Sequence, residues 1–262
     1  MFLVDSHCHL DSLDYENVHS DVKDVIRKAH EAGVTHFLAP GVDFESFPKM
    51  YEMLKNFPEV WCAAALHPEN INEGNKNWSD GMLKEYLSLD KVIALGETGL
   101  DFFNTPETRD IQIESFVRQI NIAKEMQKPL IIHSRGSAGL CIDVLSSEGG
   151  RDCGGVMHCF CEDRDTARKA LDLGYYISFS GIVTFKNAEN VREACRYVPL
   201  DMMLVETDSP YLAPVPKRGK PNEPAFVAYT ARAVAELKSV DYETLCDITS
   251  RNFAECFKVQ LF

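Results

Sequence analysis

Long apolar runs are missing from this chain: no stretch approaches the ~20 residues needed to span a bilayer, so no membrane association is expected. The N-terminus lacks a basic segment followed by an apolar core, so no secretion signal is expected either. CxxC pairs are absent, and nine scattered cysteines, an odd number, do not read as a disulfide framework. Reduced thiols in a cytoplasmic protein are the expectation. No glycine-rich dinucleotide fingerprint occurs. Positive charge is scarce: 27 Lys and Arg against 40 Asp and Glu give a formal net charge of -13. That disfavours a broad electrostatic grip on duplex nucleic acid. It leaves room for a small basic site around bound cations, whose charge would offset ligating carboxylates. The remaining composition, 262 residues with 45% hydrophobic content, suits one large domain over residues 1–262.

What is present begins with Phe2-Leu3-Val4-Asp5-Ser6-His7-Cys8-His9-Leu10-Asp11. A short apolar run ends in His-x-His flanked by carboxylates. In a strand, residues i and i+2 face the same side, so His7 and His9 are expected to aim at one point as a metal half-site. Cys8 should point away into the core.

Strand-like and helix-like stretches then alternate. Val18, Val22, Val25, Ile26 and Ala29 follow helical spacing, and Gly33 is placed to end that helix. Further strands are predicted at His36 to Gly41, Trp61 to Pro68 (ending in His67), Val92 to Glu97 and Pro129 to His133. Three more follow at Gly155 to His158, Tyr175 to Phe179 and Met203 to Asp208. Helices are predicted between them, including Glu107 to Met126 with Ile113, Phe116, Val117, Ile120 and Ala123 on one face. A Pro/Gly-rich loop from Ser209 to Pro224 precedes two closing helices. Eight strands alternating with helices over this length predict a (β/α)8 TIM barrel. A doubly wound open sheet is the alternative.

Five of these strands end on residues that bind metals: His7 and His9, Glu97, His133, His158 and Asp208. Singly, each has an ordinary explanation as a satisfied core histidine or a helix cap. Together, at the strand ends where barrel active sites lie, they would carry a heavy desolvation cost without cations. Four imidazoles and two carboxylates exceed the needs of one tetrahedral ion. They suit two, with His7, His9 and Asp208 on one, His133 and His158 on the other, and Glu97 bridging both. His67, at the end of its own strand, and Arg135, two residues past His133, fall near the same mouth. Lys217, Arg218 and Lys220 follow Asp208 and are placed to contact phosphate. Glu206 has three open roles: ordering water, holding a third metal, or hydrogen bonding.

In this order the motifs Val4 to Asp11, Leu66-His67-Pro68, Ala94 to Asp101, Pro129 to Arg135, Gly155 to Phe160, Leu204 to Pro214 and Arg218 to Pro224 are specific. The sequence resembles the TatD-type metal-dependent deoxyribonucleases of the amidohydrolase-like barrel superfamily. The resemblance spans nearly the whole chain. It implies a TIM barrel, a dinuclear metal site on the residues assigned above, and hydrolysis of DNA phosphodiesters, often from 3′ ends. One departure stands out: the family often has an acid and an alanine after its His-x-Arg, whereas this chain reads Arg135-Gly136-Ser137.

The expected function is therefore a metal-dependent hydrolase of the deoxyribonuclease type, a 3′-5′ exonuclease. Two divalent ions (Mg2+, Mn2+ or Zn2+) would supply a metal-bound hydroxide, with Asp208 as proton acceptor and Glu97 as bridge. DNA, single-stranded or at 3′ ends, is the expected substrate. The alternatives are an amidohydrolase or esterase acting on a carbonyl through the same metal chemistry, and a metal-storing or structural barrel. The basic loop favours a phosphate over a carbonyl substrate.

Overall fold

A computed structural model describes residues 2–261. Strands and helices alternate through it: β1 (Leu3–Asp5), α1 (Val22–Glu31), β2 (Val34–Pro40), α2 (Phe47–Leu54), β3 (Val60–Ala64) and α3 (Asp80–Leu87). Then come β4 (Val92–Asp101), α4 (Arg109–Met126), β5 (Leu130–Arg135), α5 (Ala138–Ser147), β6 (Gly155–Met157) and α6 (Arg164–Asp172). The chain continues with β7 (Tyr175–Phe179), α7 (Glu189–Tyr197) and β8 (Met203–Val205), and ends in α8 (Val227–Lys238) and α9 (Tyr242–Phe257). The strands lie in one sheet in chain order, and every described pairing is parallel. This is the (β/α)8 barrel fold. A doubly wound sheet would reverse its strand order at a switch point.

Two compact units make up the chain. One comprises Met1–Ala39, Cys159–Arg168 and Ile177–Phe262; the other comprises Pro40–His158 and Lys169–Tyr176. In the first, β1 pairs with β2 and β7 with β8, and α9 packs on β1, β8 and α8. In the second, β3, β4, β5 and β6 pair in succession, with α4 against β4. The strands are largely buried, with Leu130, Ile131 and Ile132 of β5 and Cys62, Ala63 and Ala64 of β3 fully enclosed.

Several boundaries differ from those read in the sequence. Helix α1 starts at Val22 because the Asp21 side chain accepts the Asp24 N–H at 2.8 Å and caps it. Val18 falls in the preceding turn and is exposed, so it does not belong to the apolar stripe. Strand β1 ends at Asp5 and β3 at Ala64, short of their histidines. Strands β6 and β8 stop at Met157 and Val205, just before His158 and ahead of Asp208.

Strand β4 differs the other way, running past Glu97 to Asp101. Gly99 permits the extension: its φ is +139°, and a Cβ there would meet the His133 carbonyl at 2.1 Å. Only glycine allows this approach, and it sets Gly99 beside His133 in the ladder.

Two glutamines in α4 turn part of its buried face into a scaffold. Gln112 accepts the Asp101 N–H at 2.8 Å and donates to the Asp101 carbonyl at 3.0 Å. Gln119 does the same for Leu66, with both bonds at 3.0 Å. They share this face with Phe116 and Ile120, also buried. The near-isosteric replacement Gln119→Leu would leave the Leu66 N–H and C=O without these partners. It should destabilise the protein by about 2 kcal/mol, the usual cost of stranding buried polar groups. Urea unfolding measures this, and an unchanged midpoint and slope would show that the glutamine is not a structural tie.

Candidate metal centre

The first unit gathers His7, His9 and Asp208. Beyond β1 the chain is laced to its neighbours: the Cys8 N–H donates to the Leu38 carbonyl at 3.0 Å, and the His9 N–H to the Ser209 carbonyl at 2.8 Å. Asp208 has a left-handed φ of +56°, and its N–H reaches the His7 carbonyl at 2.9 Å. These bonds, rather than strand alternation, bring the two rings to one carboxylate oxygen. His7 Nε2 lies 3.8 Å and His9 Nε2 3.5 Å from Asp208 Oδ1. Both are too long for good hydrogen bonds. They match two donors on one ion, because bonds of about 2.0–2.1 Å at a tetrahedral angle hold their donors roughly 3.4 Å apart. The donor set therefore fits a divalent cation. Cys8 is buried, its thiol 3.7 Å from the Leu38 carbonyl, as expected of a core residue.

Behind this group Asp5 is fully buried and accepts the Thr207 N–H at 2.8 Å and hydroxyl at 2.6 Å. Burial pushes its carboxyl up to about 8, against the pull of those bonds. Glu206 is also buried and accepts the Cys159 N–H at 2.7 Å.

The second unit gathers three imidazoles around one carboxylate oxygen. Glu97 Oε1 faces His158 Nε2 at 2.7 Å, His133 Nδ1 at 2.8 Å and His67 Nε2 at 3.3 Å. His133 also places Nε2 at 3.0 Å from Asp101 Oδ2. A ring bonded to a carboxylate through one nitrogen presents the other to a cation, the usual arrangement behind a metal-ligating histidine. Burial disfavours a charged His133, but Asp101 and Glu97 outweigh it and raise its pKa. Burial likewise opposes charge on Asp101. The His133 ring and the N–H groups of Asn104 and Phe103 prevail and hold that carboxyl below its usual value.

His67 behaves differently. It lies beyond β3, and its Nδ1 accepts the Glu69 N–H at 3.2 Å. The neutral ring therefore carries its proton on Nε2, which makes that nitrogen a donor rather than a ligand. Burial, followed by His133 acting against the pull of Glu97, lowers its pKa and favours this neutral state. His67 Nε2 thus fits a hydrogen-bond donor.

Of the remaining cationic residues, Arg135, Lys217 and Arg218 sit on aromatic rings, whereas Lys220 is exposed. Arg135 is exposed, its guanidinium 4.5 Å from the Phe103 ring centroid. Lys217 lies over Phe226 at 4.9 Å and Tyr229 at 5.6 Å, and Arg218 over Phe185 at 3.9 Å. Asp101, Gln112 and Gln119 were absent from the residues singled out by sequence. A pair of glutamines on the apolar face of α4 was the available signal.

If Asp101 orients His133, Asp101→Asn should weaken divalent-metal binding about 10- to 100-fold, whereas His67→Ala should leave metal content near that of the parent. Chelator-competition titration reads both. Equal affinity in Asp101→Asn, or metal loss in His67→Ala, would reverse these assignments.

Over residues 4–258 the chain matches the family described as TatD related DNase. It is 50% identical over 259 residues to the metal-dependent hydrolase YcfH of Escherichia coli K12, covering 99% of this chain and 97% of that protein. It is 28% identical over 246 residues to the 3′-5′ ssDNA/RNA exonuclease TatD of Citrobacter rodentium, covering 92% and 93% respectively. The crystal structure of YjjV, a TatD homologue from Escherichia coli K12, superposes with a TM-score of 0.89 at 27% identity and covers 98% of each chain. The donor groups described above are those a metal-dependent hydrolase requires, and the chain belongs to the TatD-related DNase family.

Proposed function

We propose that this hydrolase is an exonuclease that cleaves phosphodiester bonds at the 3′ ends of single-stranded nucleic acid, DNA foremost. The observation that carries this reading is the convergence of His67, His133 and His158 on the single oxygen Glu97 Oε1. Such a buried group is costly unless its charges are paired, and its composition is that of a cation site. A 3′-5′ single-strand exonuclease among the relatives supports the substrate class.

The proposed ligands are His7, His9 and Asp208 for one ion and Glu97, His133 and His158 for the other. Glu97 is kept as the shared carboxylate on the strength of its motif. When bound, such ions acidify a water and neutralise phosphate oxygens. Asp208 is the proposed proton acceptor. His67 would donate its Nε2 proton to a phosphate oxygen, where negative charge accumulates during in-line displacement. Arg135, Lys217 and Arg218 would hold flanking phosphates, and the buried Glu206 would order the loop at Cys159.

Chelation with EDTA should abolish hydrolysis, and adding back one of Mg2+, Mn2+ or Zn2+ should restore it. The assay pairs single-stranded DNA with duplex DNA, RNA, and ester and amide substrates. Preference for single-stranded DNA supports the nuclease. Turnover confined to esters or amides would replace it with a carbonyl hydrolase, and full activity without metal would remove the mechanism.

The shared-carboxylate assignment has its own test. Glu97→Ala should lose both ions, whereas His133→Ala should mainly lose one. Metal analysis finding two ions per chain in Glu97→Ala would end the bridging role.

A further inference from the structure

The end of β4 carries an unusual surface within the second unit. Phe103 is 68% exposed, the highest value among the described large hydrophobic side chains. Leaving a phenyl ring in water forgoes the gain from burying it, yet the backbone beneath this ring is tightly fixed. Asp101 Oδ1 accepts the N–H of Phe103 at 3.0 Å and of Asn104 at 2.7 Å. Asp101 Oδ2 accepts the Asn104 side-chain amide at 3.0 Å. The Phe102 N–H donates to the Arg135 carbonyl at 3.0 Å, which ties the turn to β5.

Two cations rest on this aromatic pair. Arg135 lies 4.5 Å from the Phe103 centroid, and Arg109 lies 4.3 Å from that of Phe102. Beside them is Gly136. Its φ is +66°, and a Cβ there would stand 3.7 Å from the Phe103 nitrogen and 3.8 Å from its Cβ. Glycine thus adds neither bulk nor negative charge next to the Arg135–Phe103 pair. Two acids at this surface are engaged: Asp101 in the bonds just given, and Glu69 with the Asn104 amide at 2.9 Å.

We infer that Phe103, braced by Arg135, is a stacking platform for a nucleobase of a single-stranded substrate, with the guanidinium serving the adjoining phosphate. The inference rests on the nuclease reading above and deepens it. Aromatic faces paired with cations are how proteins hold unpaired strands without reading their sequence. The platform is also tied to the chemistry. The Asp101 carboxylate that fixes Phe103 also holds His133 Nε2 at 3.0 Å, so a base stacked at Phe103 keeps a set distance from the metal ligand.

The test compares a short oligothymidylate with the same strand carrying abasic residues at its 3′ end. Wild-type protein loaded with the metal that supports turnover should prefer the base-bearing strand. Phe103→Ala should lower kcat/KM on that strand by roughly 5- to 100-fold, the range for loss of one stacked base. The ratio between the two strands should collapse, and Phe103→Trp should restore it. Because the turn is held through backbone N–H groups, metal content should match wild type in both variants. A base preference retained in Phe103→Ala, or lost in Phe103→Trp, overturns the platform.

Equilibrium binding of the two strands to metal-stripped protein separates this idea from the nuclease reading. Base-dependent binding that vanishes in Phe103→Ala, with no hydrolysis by loaded wild type, sustains the platform and sinks the nuclease. Equal binding of both strands by wild type sinks the platform, whatever the hydrolysis shows.

Discussion

One carboxylate oxygen held among three imidazoles is the constraint on which the second unit depends. A buried, ionised Glu97 is expensive unless positive charge or N–H donors surround it. Three ring nitrogens surround it here. His133 sits between Glu97 Oε1 at 2.8 Å and Asp101 Oδ2 at 3.0 Å, and the two carboxylates together raise its pKa. A cation held by His133 Nδ1 would compete with a proton there, so binding at this ring would weaken with acidification. His67 is held in the opposite state: its lowered pKa and the Glu69 N–H on Nδ1 keep it neutral. Neighbouring rings around one carboxylate are thus biased toward opposite protonation states.

The supports behind this cluster follow from its cost. Gly99 lets β4 lie against the His133 carbonyl, which no residue with a Cβ would allow. Gln112 and Gln119 fix the backbone at Asp101 and at Leu66, the residue before His67. Both side chains answer an N–H and a C=O at once, as is required where loop backbone is buried away from water. The rings therefore meet Glu97 with their orientations already set, which limits the ordering still to be done when a cation or substrate arrives.

Most of the donor set was legible because metal chemistry restricts residue type and barrel topology restricts position. His7, His9, His67, Glu97, His133, His158 and Asp208 lie within or just past the strands from which they were read. The reasons behind some of those positions were not legible. Strand alternation foretold that His7 and His9 converge, yet β1 ends before them. Their convergence comes from backbone bonds to Leu38 and Ser209, partners remote in sequence. Glu97 was read as a strand end, whereas β4 runs on to Asp101, with Gly96 and Gly99 packed close against β5. Asp101 and the two glutamines escaped notice because hydrogen bonding across elements leaves no periodic trace, and a polar residue on an apolar face reads as noise until its partner is seen.

Charge placement shows the same limit and explains how so acidic a chain can present cations. On α1, Arg27 and Lys28 pair with Asp24, and on α7 Arg192 and Arg196 pair with Glu189. Those charges largely cancel. Arg109, Arg135, Lys217 and Arg218 rest on Phe102, Phe103, Phe226 and Phe185. A ring's quadrupole steadies a cation without neutralising it, so the positive charge remains available at these positions. A formal net charge of -13 therefore measures the whole surface and not these positions. Two of these pairings, Arg135 with Phe103 and Arg218 with Phe185, join residues far apart in sequence and become visible only in the folded chain.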